Sequence, residues 1–308
     1  MKKISKYLIL LFLVLTLSGC TKVLKDENKK AVVNPTTGQS ITENVLCRPT
    51  DSETIKLYEE NGKDLTNLPE CSQMKITGEY ESIWNSFFVR PLAWVIIKVG
   101  DLVNSSGLAI ILITLAIRLI LYPITQKTAM QSENIKKAQP EIDRIEKKYK
   151  DKTDQESMAR KGQEMMLIYK KYDINPLSGC FFALIQIPLL FAFLEAINRV
   201  PAIFEGKFLG FEMGLTPLVA MKNGNFIYLI LVVLIIATTY YSFKMNKTTT
   251  TTPEMQKQNN MMMWFMVIFI GFMSFQLSSA IAIYWIVSSA FTIFQNIITD
   301  KVLSHKKN

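Results

Sequence analysis

The chain alternates apolar blocks with polar stretches, and its first three blocks reach the length of about 20 residues that a transmembrane helix needs. These blocks cover 107–126, 177–198 and 226–243. A further block, 261–298, holds 38 residues without a charge and would measure about 57 Å as one helix. Because the hydrocarbon core of a bilayer is only about 30 Å thick, this block must form two spans, with polar residues 276–279 at the turn. The pattern predicts an all-α polytopic membrane protein with five transmembrane helices.

Residues 84–104, which precede the first span, are apolar but carry Arg90, Lys98 and Asp101. Such a mixture is typical of an amphipathic helix in the membrane interface, with its tryptophans at the level of the lipid headgroups. We therefore expect an interfacial helix on the outer side of the membrane. A sixth span is the alternative.

Residues 127–172 lie between the first two spans and contain 12 basic and 8 acidic residues. Two series of mostly apolar residues occur there at steps of three and four, so each series would form a narrow seam along one face of a helix. The seams are Ile135, Ala138, Ile142, Ile145 and Tyr149, and then Met158, Gly162, Met165, Tyr169 and Tyr172. Since 150–154 separates the seams, the pattern predicts an antiparallel helical hairpin that projects into the cytoplasm and suits contact with a protein or with lipid headgroups. A solvated charged loop is the alternative.

The N-terminus begins with lysines and continues with an apolar stretch from Tyr7 to Leu17, which is the pattern of a secretory signal. The signal ends in LSGC, which resembles a bacterial lipobox, where the chain is cut before a cysteine that then carries lipid. We expect a lipoprotein signal peptide over 1–19 and lipidation of Cys20. An ordinary cleaved signal or an uncut anchor is the alternative.

The exported region 20–83 is polar and shows no sustained period, so we expect it to be mostly flexible, with a short helix around 53–60. Cys47 and Cys71 lie in this region. Because cysteines outside the cytoplasm readily form disulfides, these two either pair or remain as free thiols.

The basic residues orient the five-span core, 105–300. With the N-terminus outside, segment 127–172, loop 244–260 and tail 301–308 lie inside and contain 12, 3 and 3 lysines and arginines. The outer loop 199–225 contains 3. Cytoplasmic loops are enriched in lysine and arginine, so the counts favour a multi-pass protein of the bacterial cell membrane with a cytoplasmic C-terminus.

Arg118 lies near the middle of the first span, where a charge costs on the order of a few to more than ten kcal/mol unless water or a partner reaches it. Glu195, the only carboxylate in a predicted span, lies about 11 Å closer to the outer surface, so we expect it at the interface rather than beside Arg118. The neutral side chains of Gln186, Thr238 and Gln295 fall nearer the depth of the arginine. These depths predict a water-filled cavity open to the cytoplasm. The alternatives are an arginine that extends to the inner surface and polar side chains that join helices.

The sequence contains no nucleophile–base set, phosphate-binding loop or metal-ligand cluster, so we do not expect an enzyme. The net charge of +9 fits basic cytoplasmic loops near anionic lipids rather than direct nucleic-acid binding. A secondary transporter or channel is one alternative class, although paired half-repeats and a buried carboxylate are missing. A structural membrane lipoprotein is another.

Several motifs together resemble the YidC-type membrane protein insertases in their bacterial lipoprotein form. The resemblance covers 84–298. The motifs are LAIRLILYPIT with Arg118, NPLSGCFFALIQIPLLFAF with Gln186, and IYWIVSSAFTIFQ with Tyr284, Trp285 and Gln295. They occur in this order around the charged segment, as they do in the family.

The resemblance implies an insertase and chaperone for newly made membrane proteins that works alone or beside the Sec translocon and uses no cofactor. It implies a hydrophilic groove open to cytoplasm and lipid, lined by Arg118, Gln186, Gln295, Tyr284 and Trp285. For the two aromatic residues, anchoring at the headgroups is the alternative. Further implied partners are anionic lipids and ribosomes, although the basic tail that serves some relatives in ribosome binding is short here.

Overall fold

The computed structural model describes residues 22–175, 178–245 and 253–305. The predicted signal peptide 1–19 and Cys20 lie outside these residues. The described chain is mostly helical, with a short two-stranded antiparallel sheet, a π-helical turn at Asn85–Val89 and short 3₁₀ turns. The α-helices and strands are α1 (Ser52–Glu60), α2 (Arg90–Val103), α3 (Ser106–Lys148), α4 (Gln155–Lys171), α5 (Ser178–Arg199), α6 (Pro201–Phe204), β1 (Lys207–Phe208), β2 (Phe211–Glu212), α7 (Pro217–Lys222), α8 (Leu229–Met245), α9 (Pro253–Ser274) and α10 (Ser279–His305).

Among the described residues, three helical stretches are long and apolar enough to cross a membrane. They are Ser106–Gln126, Phe226–Met245 and Ser279–Thr299, and they coincide with the predicted first, third and fifth spans. α9 contains a shorter apolar stretch, Asn260–Ser274, and α5 occupies the predicted second span. The protein is therefore helical with several candidate spans, and the full count of five remains a prediction.

The predicted turn inside the long apolar block is confirmed, because α9 ends at Ser274 and α10 begins at Ser279. The hydroxyl and the amide of Ser279 both donate to the carbonyl of Leu215, at 2.8 and 3.1 Å. The amide of Leu218 donates to the carbonyl of Phe275 at 2.9 Å. These bonds satisfy polar groups that the ends of two helices leave open.

α3 is 43 residues long and continues from the apolar block into the charged segment as one helix. Pro123 and Pro140 lie inside it. Proline has no amide hydrogen and removes one helical hydrogen bond, so each of these positions is a point where a helix bends easily.

The chain divides into two compact units. Unit 1 contains the described residues up to Ala116, Ile187–Ile235 and Gly271–Val287. Unit 2 contains Ile117–Gln186, Ile236–Ile270 and the described residues from Ser288 onward.

In unit 1, residues 22–80 form a packed N-terminal module, which corrects the expectation of a mostly flexible region. The module is held by antiparallel bridges that join Val23 to Thr42, Lys25 to Ala31 and Val33 to Ser40. Its hydrophobic core consists of Leu24, Val32, Ile41, Val45, Tyr58 and Leu65. These apolar residues are spread along the sequence without a period, and turns bring them together, so a search for periodicity does not detect the core.

The short helix predicted around 53–60 is confirmed as α1, where the Asp51 carboxylate accepts the Thr54 amide at 2.8 Å as an N-cap. Tyr58 on this helix is buried, and its hydroxyl donates to the Thr42 carbonyl at 2.6 Å. Burial raises the pKa of Tyr58 to about 12. Cys47 and Cys71 form a disulfide in the same module.

In unit 2, α4 packs against the second half of α3. The first predicted seam, from Ile135 to Tyr149, is buried in this contact. On α4 the contact differs from the prediction, because Met158 is 51% exposed while Ile168 is buried. The charged side chains agree with an antiparallel arrangement: Glu141 pairs with Lys171, and Lys148 pairs with Glu164.

Candidate functional site

Arg118 is buried in unit 2, with 5% of its surface exposed. Its neighbours on α3, Leu119 and Ile120, are 62% and 72% exposed, so the arginine and the outward apolar side chains occupy different faces of the helix. Nη2 of Arg118 donates to Oε1 of Gln186 on α5 at 2.7 Å and to Oγ of Ser288 on α10. Three helices therefore meet at the arginine, and the contact with Gln186 joins two residues that the sequence placed at similar depths.

A second polar contact lies seven residues further along two of these helices. Nε2 of Gln295 donates to Oγ1 of Thr125 at 2.6 Å, and both residues are buried. The pairs Arg118–Ser288 and Thr125–Gln295 are each separated by 170 positions, so α3 and α10 run parallel and in register here. At 1.5 Å per residue, the two contacts lie about 10 Å apart along the helices.

Buried polar side chains recur at helical spacing on α10. Ser288, Thr292, Gln295 and Thr299 are at most 4% exposed and are separated by four, three and four positions. They therefore share one face of the helix. Gln295 in this face is predicted from its depth in the span, whereas Ser288 is not, although the regular spacing of small polar residues before Gln295 indicates it.

The low exposure of Arg118 excludes, for this structure, an arginine that extends to the inner surface. Its bonds to Gln186 and Ser288 correspond to the alternative in which polar side chains join helices. A water-filled groove around Arg118 stays a prediction.

Tyr284 and Trp285, the predicted aromatic lining residues, lie in unit 1. Tyr284 is fully buried and stacks on Phe193, with ring centroids 4.2 Å apart. Its ring is therefore a core element, whereas a headgroup anchor or the wall of an open groove needs an exposed surface. Trp285 is half-buried.

A further buried polar cluster lies in unit 1. Trp84 and Glu195, both expected at the membrane interface, are 2% and 4% exposed, so they are covered by protein, and Nε1 of Trp84 donates to Oε1 of Glu195 at 3.0 Å. The two can be buried together because the indole N–H satisfies the carboxylate. Nearby in sequence, Arg199 is 3% exposed and donates to both carboxylate oxygens of Glu81, at 2.6 and 2.8 Å, and to Asn85 Oδ1 at 3.0 Å.

The long helices of the described chain expose many large apolar side chains, as a surface in contact with lipid does. Phe265 and Ile268 on α9 are 64% and 68% exposed, as are similar apolar residues on the other long helices. Soluble proteins rarely expose such surfaces. Together with the candidate spans and the buried polar contacts between helices, this surface defines a polytopic helical membrane protein with a polar interior.

Comparison with known proteins assigns the family. Residues 98–307 match the model of the 60Kd inner membrane protein family, and the chain belongs to this family, that of the YidC-type membrane protein insertases. A membrane protein insertase YidC of Oceanobacillus iheyensis is 34% identical over 246 residues, which cover 79% of this chain and 94% of the relative. The membrane protein insertase MisCA of Bacillus subtilis is 34% identical over 237 residues, which cover 74% of this chain and 84% of the relative.

Proposed function

We propose that this protein is a membrane protein insertase and chaperone whose substrate site is centred on Arg118. The supporting observation is an arginine buried between Gln186 and Ser288 in a family whose relatives are named membrane protein insertases. A carboxylate can accept two parallel, charge-assisted hydrogen bonds from an arginine and also neutralises its charge, which neutral oxygens cannot do. An acidic side chain of a substrate therefore competes well for the N–H groups that now bind Gln186 and Ser288.

In this mechanism Arg118 belongs to a hydrophilic groove that is open to the cytoplasm and to lipid when a substrate enters. A polar segment that leaves bulk water meets polar partners part of the way across. These partners lower the free-energy barrier to moving the polar segment across the membrane, because an unsatisfied polar group in hydrocarbon costs on the order of several kcal/mol. Gln186, Gln295 and half-buried Trp285 are the proposed lining residues, while buried Tyr284 supports the core. The apolar segment of the substrate then moves sideways into lipid.

The proposed topology has five spans within 105–300. If α3 and α10 cross the membrane in the same direction, the chain must cross it an odd number of times between them. The helices α5, α8 and α9 supply three such crossings. This parity supports the proposal without depending on the charge distribution.

We place the hairpin 127–172 and the tail 301–308 in the cytoplasm, and the region 20–83 and interfacial helix 84–104 on the outer side. The 12 basic residues of the hairpin support contact with anionic lipids, and a charged arm beside the membrane suits the Sec translocon or a ribosome. The sequence pattern supports removal of 1–19 and lipidation of Cys20.

A depletion–rescue experiment tests this function. Cells depleted of their own insertase receive this protein with Arg118→Ala or Arg118→Lys, and membrane insertion of a short substrate with an acidic exported segment is measured. We expect Arg118→Ala to lose most of the insertion and Arg118→Lys to keep more, because lysine preserves the charge but not the planar fork.

The matched control is Lys207→Ala, which removes a cation whose side chain is 72% exposed on β1, outside the hairpin. It should insert the substrate as well as the wild type does. Normal insertion by both Arg118 variants, at wild-type protein levels, would refute the role of the charge.

A further inference from the structure

The N-terminal module contacts the end of α5 through backbone and side chains of both segments. Nε of Arg199 donates to the carbonyl of Asn44 at 2.6 Å, and the amide of Leu46 donates to the carbonyl of Arg199 at 2.8 Å. One residue earlier on α5, Oδ1 of Asn198 accepts from Nε2 of Gln39 at 3.2 Å. Two stretches of the module are therefore fixed to the last turn of α5.

The same arginine also holds the chain that leads into α2. Its Nη2 bonds both carboxylate oxygens of Glu81, and its Nη1 bonds Asn85 in the π-helical turn before α2. A buried charge is tolerated only when its partners satisfy it, and removing one member of such a group is strongly destabilising. Arg199 thus joins the module, the linker to α2 and the end of α5 in one buried contact.

A second, separate part of the module contacts α2 directly. Nζ of Lys98 donates to the carbonyl of Ser72 at 2.8 Å, and Nε of Arg90 donates to the carbonyl of Lys75 at 3.3 Å. Gly78 lies against the guanidinium of Arg90, since a Cβ atom there would fall 2.0 Å from Cζ. The stretch 72–78 therefore follows the side of α2.

The Cys47–Cys71 disulfide links these two parts of the module. Cys47 directly follows Leu46, which is bound to Arg199, and Cys71 directly precedes Ser72, which is bound to Lys98. Cys47 is completely buried. A covalent bond therefore runs between the stretch fixed to α5 and the stretch fixed to α2.

Gly38 adds a third point of contact that only glycine permits. Its φ of +73° is left-handed, and a Cβ atom would come within 2.5 Å of Thr216 Oγ1 and Val219 Cγ2 near the start of α7. The adjacent Thr37 carbonyl accepts the Thr216 amide at 2.8 Å. Gly62 has nearly the same φ, +72°, but open space around it.

We infer that the N-terminal module is a strap that fixes α2 to the end of α5, with Arg199 as its central contact and the Cys47–Cys71 bond as its covalent link. Each contact alone fixes one end of the module. The disulfide makes the two ends one unit, so the module holds α2 to α5 in addition to the direct contacts of Trp84 with Glu195 and of Asn85 with Arg199. The module is then a structural part of the protein as well as the connection to the proposed lipid anchor at Cys20.

Hydrogen exchange measured by mass spectrometry on the full chain in lipid nanodiscs tests the strap. Gly38→Ala should disturb docking on Thr216 and Val219, and exchange in α2 should rise about tenfold or more as local opening becomes easier. Gly62→Ala is the matched control, because it introduces the same backbone strain without the clash. It should raise exchange only around its own turn.

The double variant Cys47→Ser/Cys71→Ser tests the covalent link. We expect faster exchange in 72–78 and α2, while the bridged stretch 22–42 stays protected. Arg90→Gln/Lys98→Gln removes the direct contacts to α2 from the side of α2, so it answers the same question if a change within the module prevents folding. Lys56→Gln, an exposed charge on α1, is the control for both.

Wild-type exchange in α2 for both the double serine variant and Arg90→Gln/Lys98→Gln would overturn the strap, because α2 would then be held by other contacts. The same conclusion follows if Gly38→Ala and Gly62→Ala affect α2 equally.

Discussion

Gln295 Nε2 donates a hydrogen bond to Thr125 Oγ1 at 2.6 Å, in register with the contact between Arg118 and Ser288 seven residues earlier on both helices. The polar interior of unit 2 therefore has a neutral contact as well as a charged one. Both join α3 to α10, but only the charged contact contains a cation. Mutations can thus separate the contribution of these contacts to the stability of the fold from the effect of the charge of Arg118.

Removing the neutral contact should weaken packing without removing the charge. Thr125→Val and Gln295→Ala should each lower the free energy of unfolding by about 0.6 kcal/mol, the average for a hydrogen bond between membrane helices, and by about 1.7 kcal/mol at most. The double variant should lose less than the sum, because both changes remove one bond. Unfolding in mixed detergent micelles measures the three values. Thr299→Val is the control, since the Thr299 hydroxyl bonds only the Gln295 carbonyl of its own helix among the contacts described here, and it should show no coupling to Thr125.

Ser288→Ala removes one oxygen that accepts from Arg118 and should lower the free energy of unfolding by about 1.5–3 kcal/mol, the range for a hydrogen bond to a charged group. Insertion of the acidic substrate should change less than in Arg118→Ala, because the cation and Gln186 remain. The control is Ser289→Ala at the next, half-buried position. Equal effects of the two serine variants on stability would contradict a specific bond between Ser288 and the arginine.

The N-terminal module should lose stability at high pH through Tyr58. Its pKa of about 12 in the folded chain lies above the ordinary value of 10.0. The folded state therefore holds its proton where the unfolded state has lost it. This contribution is complete below pH 10 and is lost as the pH rises towards 12. The difference between the spectrophotometric titrations of the wild type and Tyr58→Phe should show a tyrosine that ionises near pH 12. A difference spectrum without this late step would contradict the buried hydrogen bond to Thr42.

The contact between α3 and α4 should weaken in acid. Hydrogen bonds from Lys148 and Tyr149 lower the pKa of Glu164, and those from Lys171 and Tyr172 lower the pKa of Glu141. Because the folded pKa values lie below the ordinary 4.5, this stability is present above that pH and is lost as the pH falls through the lowered values.

Spin labels at exposed positions 147 and 158 measure this change as a broader distribution of distances at low pH. In the Glu141→Gln/Glu164→Gln variant the distribution should be broad at neutral pH and should not change with acid. An unchanged wild-type distribution from pH 7 to pH 3 would show that the apolar seam alone holds the two helices.

The sequence indicated those features that depend on one helix or on depth in the membrane. The turn before Ser279 follows from the length of the apolar block, and the meeting of Arg118 with Gln186 follows from their similar depths. The burial of Glu195 could not be derived in this way, because its partner Trp84 lies 111 positions earlier. The module core was missed for the same reason, since its apolar residues meet through turns and bridges rather than along one helix.

Pro123 lies on α3 between the two contacts with α10, after Arg118 and before Thr125. The two contacts hold α3 against α10 on both sides of Pro123, a position where the helix bends easily. They therefore fix the direction in which α3 continues towards its charged half. A substrate that draws Arg118 away from Ser288 would break the contact on the N-terminal side of Pro123. Loss of that contact would leave α3 free to bend at Pro123, and the bend would move its charged half.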